Sequence, residues 1–351
     1  MFAKYLIGFI LALSGALAAA WLSIPLPWLI GSLLLTAITK TTGVKSTSHS
    51  VFRNIGQWVI GTSLGLYFTP EVLNIIGGYY PFIFAGMIFA ILLGINGSLI
   101  LKKWGNVEFK TAWFASAIGG ASEMANLAEK NHARTDLVAS AHSLRMIMVV
   151  VSIPFAFKFL NITGNYAETE ILYFFDTSGF FKLIILTSIA GLVFKKLALP
   201  NPWVLGPLLV TILLTGNDTL LTYLPNEITK LGQLFIGWSL GDKFGPDFFK
   251  KAPRYLTVVA ISNALNLILA FGFSNLLFLV SDIPFPTLVL GNSPGGIAEM
   301  AITAKVLALG APVVTAFHVA RMVFVLLITS PLYHFFEKHL KPKASIKDQT
   351  N

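Results

Sequence analysis

Two carboxylates lie where an ionisable group is costly. Glu123 follows Gly119-Gly120 inside one apolar stretch, and Glu299 follows Gly295-Gly296 inside another. The segments read Ile118-Gly119-Gly120-Ala121-Ser122-Glu123-Met124 and Pro294-Gly295-Gly296-Ile297-Ala298-Glu299-Met300. At membrane depth such a group is a functional hypothesis by default. Each Glu falls in the first turn after its Gly-Gly pair, where a helix N-terminus offers free N–H groups and positive partial charge. Two readings stand side by side: a cap for a half-helix, or a site for a coupling proton or cation. His142 and Arg145 lie three apart on one helix face and recur as His318 and Arg321. Either each Arg neutralises the Glu of its own half, because a buried charge needs a partner, or it also binds an anionic solute while the His shuttles a proton. Ser116, Ser122, Asn126, Asn292 and Ser293 flank the tips with neutral polar groups. Each of these could instead satisfy local backbone.

These residues belong to a duplicated chain. The Gly-Gly copies lie 176 positions apart, and the same offset carries Met146 to Met322, Gly56-Gln57 to Gly232-Gln233, Gly61 to Gly237 and Ser63-Leu64-Gly65 to Ser239-Leu240-Gly241. At 175, Pro25-Leu26-Pro27-Trp28 and Gly31 return as Pro200-Asn201-Pro202-Trp203 and Gly206. An internal repeat governs the reading of every element. The pairs Gly61/Gly65 and Gly237/Gly241 have the small-xxx-small spacing of close helix packing. The prolines start helices, and Trp28 and Trp203 read as interface anchors.

The elements that must hold these groups are membrane helices. Of 351 residues, 55% are hydrophobic and 12% charged, and the mean hydropathy is +0.74. A soluble domain carries about 25% charged residues. Spans of ~18–20 apolar residues are expected at 5–22, 26–42, 52–68, 79–101 and 136–158, and again at 180–197, 202–217, 231–245, 255–280 and 312–335. The first span, with Lys4 and Ala18-Ala19-Ala20, also resembles a secretory signal peptide. Its repeat partner at 181–197 is internal, which favours a retained helix.

Charge decides whether the Gly-Gly segments cross. Basic residues cluster at Lys40, Lys45 and Arg53, at Lys102, Lys103 and Lys110, at Lys130 and Arg134, at Lys195 and Lys196, at 243–254 and in the tail. Acidic or neutral loops fall at 69–76, 161–179, 217–229 and 281–285. If segments 111–131 and 287–308 dip in and return, every basic cluster is cytoplasmic, and only Lys305 is misplaced. The expected fold is therefore an all-α polytopic membrane protein. It has two inverted repeats of five transmembrane helices, each with one re-entrant Gly-Gly hairpin. Residues 1–160 form the first repeat, 180–338 the second and 339–351 a basic cytoplasmic tail. Five spans per half is an odd number, which inverts one half against the other, as in many secondary transporters.

Several chemistries are excluded. Cysteine is absent, so disulfides and thiolate metal sites are out. The net charge of +9 sits in short loops and the tail, which points to membrane orientation and not to nucleic acid. No Walker-type loop, zinc-helix His pair or nucleophile–base motif stands out, and no cofactor or enzyme activity is expected.

The Gly-Gly-x-x-Glu-Met, Pro-x-Pro-Trp and Gly-Gln repeats resemble those of the AbrB-type duplicated membrane protein family, over about residues 1–338. Members are often labelled regulators of gene expression or ammonia monooxygenases, labels that imply little chemistry. Nothing here looks like a copper site, and the soluble DNA-binding regulator of the same name is unrelated in pattern. In layout alone the chain is also similar to hairpin-bearing inverted-repeat carriers for small carboxylates, an analogy of fold and not of function. The function expected is secondary transport of a small anionic organic solute coupled to H⁺ or Na⁺, in the cytoplasmic (inner) membrane with both termini inside. The solute, the coupling ion and the bilayer are its partners, and self-association stays open. The rivals are a non-transporting membrane regulator and, remotely, a membrane oxygenase.

Overall fold

Long apolar stretches bounded by Pro, Gly and charged residues leave the backbone one economical choice in lipid, the helix, because it satisfies its own polar groups. The structure, a computed structural model, describes residues 2–164, 175–250 and 252–340, without the side chains of residues 2, 339 and 340. Glu168 and Glu170 of the expected acidic loop, and the tail at 341–351, lie outside these residues. The described residues are all-helical. In order the helices are α1 (Phe2–Trp21), α2 (Pro27–Thr41), α3 (Ser50–Gly65), α4 (Pro70–Gly78), α5 (Tyr80–Trp104), α6 (Phe109–Ser116), α7 (Ala121–Lys130) and α8 (Thr135–Phe159). They continue as α9 (Thr177–Lys196), α10 (Pro202–Thr215), α11 (Asn226–Gly241), α12 (Pro253–Phe278), α13 (Phe285–Asn292), α14 (Ile297–Val306) and α15 (Ala311–Leu340).

Six of these, α1, α5, α8, α9, α12 and α15, are long and apolar enough to cross a membrane. The chain is a polytopic membrane protein. The other four expected spans are shorter. Helices α2, α3, α10 and α11 have 14 to 16 residues, about 21–24 Å at 1.5 Å per residue, against a hydrocarbon core of ~30 Å. The expected 52–68 span stops at Gly65, and the expected 69–76 loop is instead α4, bent 90° from α3. Thr69 caps α4 through its side chain, and Pro70 sits at the first turn, a position that favours it.

Packing sorts the helices into two bundles, each drawn from both halves of the sequence. In the first, α2 packs on α1 and α11 as α10 packs on α9 and α3. In the second, α5 packs on α6 and α15 as α12 packs on α13 and α8, while α7 lies on α8 as α14 lies on α15. Exchanging the halves maps this pattern onto itself. The expected glycine packing is present. A Cβ on Gly61 would collide with Val204 O of α10, and one on Gly237 with Leu29 O of α2. Trp203 packs across Gly191 of α9 and Trp28 beside Phe235 and Trp238, so both tryptophans are partly buried in helix contacts.

Both Gly-Gly segments are hairpins. The Arg134 N–H donates to Thr111 Oγ1 at 3.2 Å, so the start of α8 returns to the start of α6. Thr287 Oγ1 donates to Leu309 O at 3.0 Å in the same way. The two hairpins enter from opposite ends of α12. At its start, Tyr255 OH bonds Leu137 O of α8 and Arg254 Nε bonds Trp104 O of α5. At its far end, the Phe278 ring meets Phe285 of α13 with centroids 6.0 Å apart. The chain has no cysteine, so single cysteines report sidedness cleanly. An impermeant thiol reagent should reach cysteines placed at Lys130 and Lys250 from one side of the membrane and a cysteine at Asp282 from the other. Labelling of the first two from opposite sides would overturn the hairpin arrangement.

Candidate functional site

A helix broken inside lipid leaves carbonyls without amide partners at its C-terminus and N–H groups free at the next N-terminus. Both tips answer this in the same way. At the first, Arg145 Nη1 donates to Ala117 O at 2.8 Å and Nη2 to Gly119 O at 3.1 Å. Its Nη2 also donates to His142 Nδ1 at 3.0 Å, and His142 Nε2 bonds Phe114 O at 2.9 Å. At the second, Arg321 donates to Ser293 O (2.6 Å), Gly295 O (2.7 Å) and His318 Nδ1 (2.7 Å), and His318 Nε2 bonds Leu290 O at 2.9 Å. A guanidinium can only donate, so each Nδ1 accepts and each Nε2 carries the proton. Both histidines are fully buried and locked in this tautomer. The geometry turns them toward positioning their Arg and away from shuttling protons.

The expected Arg–Glu ion pair within each half is absent among the described residues. The reason is competition. The C-terminal end of a half-helix carries the negative end of the dipole and carbonyls that need donors, and the Arg fills both needs. Each Glu instead folds back over its own tip glycine, where a Cβ on Gly120 or Gly296 would collide with the carboxylate. Gly119 and Gly295 leave room in the same way for Met124 and Met300, both fully buried. The tip glycines have ordinary backbone angles, φ −66° at Gly120 and −84° at Gly296. Space, and not a left-handed turn, is what requires glycine.

Arg145 and Arg321 are each the eleventh residue of α8 and α15, so the tips lie about 15 Å along those helices. There they meet in one cavity of about 60 Å³. Gly119, Gly120 and Arg145 line it from the first half, and Gly295, Gly296 and Glu299 from the second. Arg53, Gln57, Met146, Asn201 and Val204 complete the wall together with Ala121, Ile297 and Ala298. Glu123 stands beside it, half-buried, its Oε1 accepting from the Asn201 N–H at 3.3 Å.

The other sequence candidates lie elsewhere. Ser122 and Asn126 are on the exposed face of α7. Ser293 Oγ bonds its own helix at Val289 O, the local role open to it from the start. Asn292 bonds Leu288 O and Ser274 Oγ, and Ser116 is buried with an unpartnered hydroxyl. Sequence reasoning missed Arg53 and Asn201. The signal for Arg53 was its place four residues before Gln57 on one helix face. The signal for Asn201 was its departure from Leu26 inside an otherwise repeated Pro-x-Pro-Trp.

A second cavity of about 330 Å³ lies at the start of α8, lined by Asp136, Leu137, Ser140, Lys243, Gly245, Pro246, Asp247, Phe248, Ala252 and Leu256. Lys243 lies beyond the end of α11. Burial, with a lesser contribution from Arg53, pulls its ammonium down to about 8.

The fold and the paired tips define a duplicated, multi-pass membrane protein with two broken-helix hairpins that share one cavity. The chain belongs to the AbrB family, whose description reads transition state regulatory protein AbrB and which matches residues 28–337. It is 26% identical over 367 aligned residues to the uncharacterized protein YhjN of Bacillus subtilis (strain 168), covering 96% of this chain and 93% of that one. It is 25% identical over 345 residues to a protein of Escherichia coli (strain K12) named provisionally as regulator AbrB, covering 96% and 98%.

The Arg–carbonyl contacts generate a stability prediction. Arg145→Met strands Ala117 O and Gly119 O, at about 1–3 kcal/mol for each buried carbonyl. The unfolding midpoint of the purified protein in detergent should fall by several degrees. Adding Glu123→Gln should not restore it, and the two effects should add to within about 0.5 kcal/mol. Rescue by the second change would reinstate the ion pair.

Proposed function

We propose that this protein is a secondary active transporter for a small anionic organic solute, coupled to H⁺ or Na⁺. One observation carries the reading: the two Gly-Gly tips enter from opposite ends of α12 and meet in a single cavity well inside the helices. Irregular backbone at that depth is tolerated where it is buried in protein or lines a wet cavity, and paired broken helices meeting at the repeat interface are a carrier arrangement.

The charge of the cavity favours an anion. Arg53 and Arg145 line it, with Arg321 beside the second tip, against the two carboxylates Glu123 and Glu299. The N-terminal ends of α7, α10 and α14 also open on it through Ala121, Asn201 and Ile297, and helix N-termini attract negative charge. About 10–15 Å³ of such space is needed per water, so this closed form holds a few waters or a headgroup of a few atoms. The larger cavity around Lys243 is wide enough for a whole small anion and reads as an approach from the end where the basic loops gather. By the positive-inside rule that end is cytoplasmic, as are both termini. The cavity lies where the bundles join, with α3 and α10 on one side and the hairpins on the other, so sliding of one bundle on the other would open it alternately.

The regulator name carried by the Escherichia coli relative favours a second reading, a membrane regulator without transport. The described helices pack into the bundles and leave no separate output domain, so regulation would run through a partner or through the solute carried.

Purified protein in liposomes, screened over small carboxylates under imposed H⁺ or Na⁺ gradients, tests the assignment. Gly120→Val and Gly296→Val should each reduce uptake to background while expression and helix content hold. The added side chain displaces a carboxylate at the cavity and leaves the bundle core untouched. Full uptake in both variants would remove the tips from the pathway.

A further inference from the structure

The two tips are alike in backbone and unlike in charge environment. Leu26 and Asn201 hold equivalent places before α2 and α10 with the same left-handed backbone, φ 51° and 42°. At the first tip the Asn201 N–H bonds Glu123, and the Asn201 side chain abuts Gly120. Glu299 has no such donor. It is 5% exposed, lines the cavity and folds over Gly296, and its carboxylate takes a bond only from its own main-chain N–H. Among the described residues no cation or donor of another residue is within bonding distance of it.

Near the tip, the charged or titratable groups on the elements packed against α14 are Arg53 of α3, His142 and Arg145 of α8, and His318 and Arg321 of α15; α13 brings none. Lys243 acts on Glu299 from beyond α11. Arg145, Arg321 and both histidines bond tip carbonyls or one another, and each Arg keeps only its Nε–H without a partner. That use of the carbonyls bears on the coupling ion. In carriers with broken helices, unwound carbonyls coordinate the coupling cation. Here Ala117 O, Gly119 O, Ser293 O and Gly295 O are already occupied by two built-in cations, the guanidiniums. A sodium ion finds these oxygens taken, whereas a proton needs only one carboxylate oxygen.

We infer that Glu299 is the proton-binding site of the cavity, and that Glu123 is instead a fixed latch between the first hairpin and α10. This rests on the transporter reading and deepens it by naming the coupling ion. A proton from water adds to one Oε of ionised Glu299, forming an O–H bond and a neutral carboxyl. When the cavity opens to the other side that bond breaks and the proton returns to water; no electrons are transferred. The coupling follows from like-charge repulsion. An anionic solute entering beside Arg53 meets a second negative charge unless Glu299 is protonated, so solute and proton bind together.

Infrared difference spectra of the full-length protein in lipid vesicles, titrated over the whole pH range in which the protein stays folded and without solute, test this directly. The wild type and Glu123→Gln should show a protonated-carboxyl C=O band that fades as pH rises, and Glu299→Gln should lack it. Glu299→Asp should keep a band at a shifted position, which guards against loss by misfolding. A band that survives in Glu299→Gln, vanishes in Glu123→Gln or is absent from the wild type would overturn the assignment. In parallel, vesicles enclosing a pH indicator are given succinate as probe. Acidification that accompanies uptake by the wild type, with none in Glu299→Gln, supports the coupling. Uptake with a wild-type proton signal in Glu299→Gln refutes it. If no small carboxylate is taken up by the wild type, the transporter reading fails, while the infrared result still decides whether Glu299 holds the proton.

Discussion

The arrangement depends on one constraint: a helix interrupted at membrane depth must find donors for its last carbonyls. Water cannot serve in lipid, and each carbonyl left bare costs about 1–3 kcal/mol. Arg145 and Arg321 supply the donors by reaching across from the long helix beside each hairpin. Each spans two carbonyls because a guanidinium presents several donors in a fixed fork. The histidine three residues earlier orients that fork and satisfies a third carbonyl itself. This explains why His and Arg recur as a pair and why the short half-helices α6 and α13 stay in place.

Once the Arg is bound to main chain, the Glu is released from its obvious partner. The Gly-Gly-x-x-Glu-Met motif then reads as a closed local unit. The first Gly accommodates the Met, the second accommodates the folded-back Glu, and the Met is buried behind the tip. The carboxylate is left at the cavity. Its state is set by whatever the opposing bundle offers: a main-chain N–H from Asn201 at one tip and nothing equivalent at the other.

The duplication, the hairpins and the tip residues Gly119, Gly120, Arg145, Gly295, Gly296 and Glu299 were legible in the sequence, because repetition and charge asymmetry are written in side chains. The Arg–carbonyl bonds were not legible. Every residue has a carbonyl, so nothing in the sequence marks the ones that a chain break leaves unpaired, and pairing Arg with the nearest carboxylate was the default that electrostatics suggests. Arg53 was counted only for the orientation its charge implies, although it fell inside the expected 52–68 span and stands in the first turn of α3. The expected 52–68 span ran past the end of α3 because the residues that follow it, such as Leu66 and Phe68, are apolar whether or not they are helical, and α11 begins five residues before the expected 231–245 span because its first turn, Asn226-Glu227, is polar.

Where the bonds lie also separates the contacts that tie each tip to its own bundle from those that cross to the other. The Arg–carbonyl and His–carbonyl contacts all fall within the second bundle, joining α6 to α8 and α13 to α15. Breaking them would expose carbonyls in lipid, so the hairpins travel with their long helices. The contacts that cross to the first bundle are different in kind. Glu123 meets the Asn201 N–H, and Lys305 Nζ donates to Ser63 Oγ at 3.0 Å while lying 5.0 Å over the Tyr67 ring. These polar contacts are partly buried, each worth on the order of 1 kcal/mol net. Lys305, the one cation that the charge pattern left on the wrong side, thus becomes a tie between the bundles. The Arg and His bonds hold each tip together, whereas the bundles meet chiefly through an apolar core that Leu29, Ile60 and Leu64 of the first share with Val149, Ala301 and Met322 of the second.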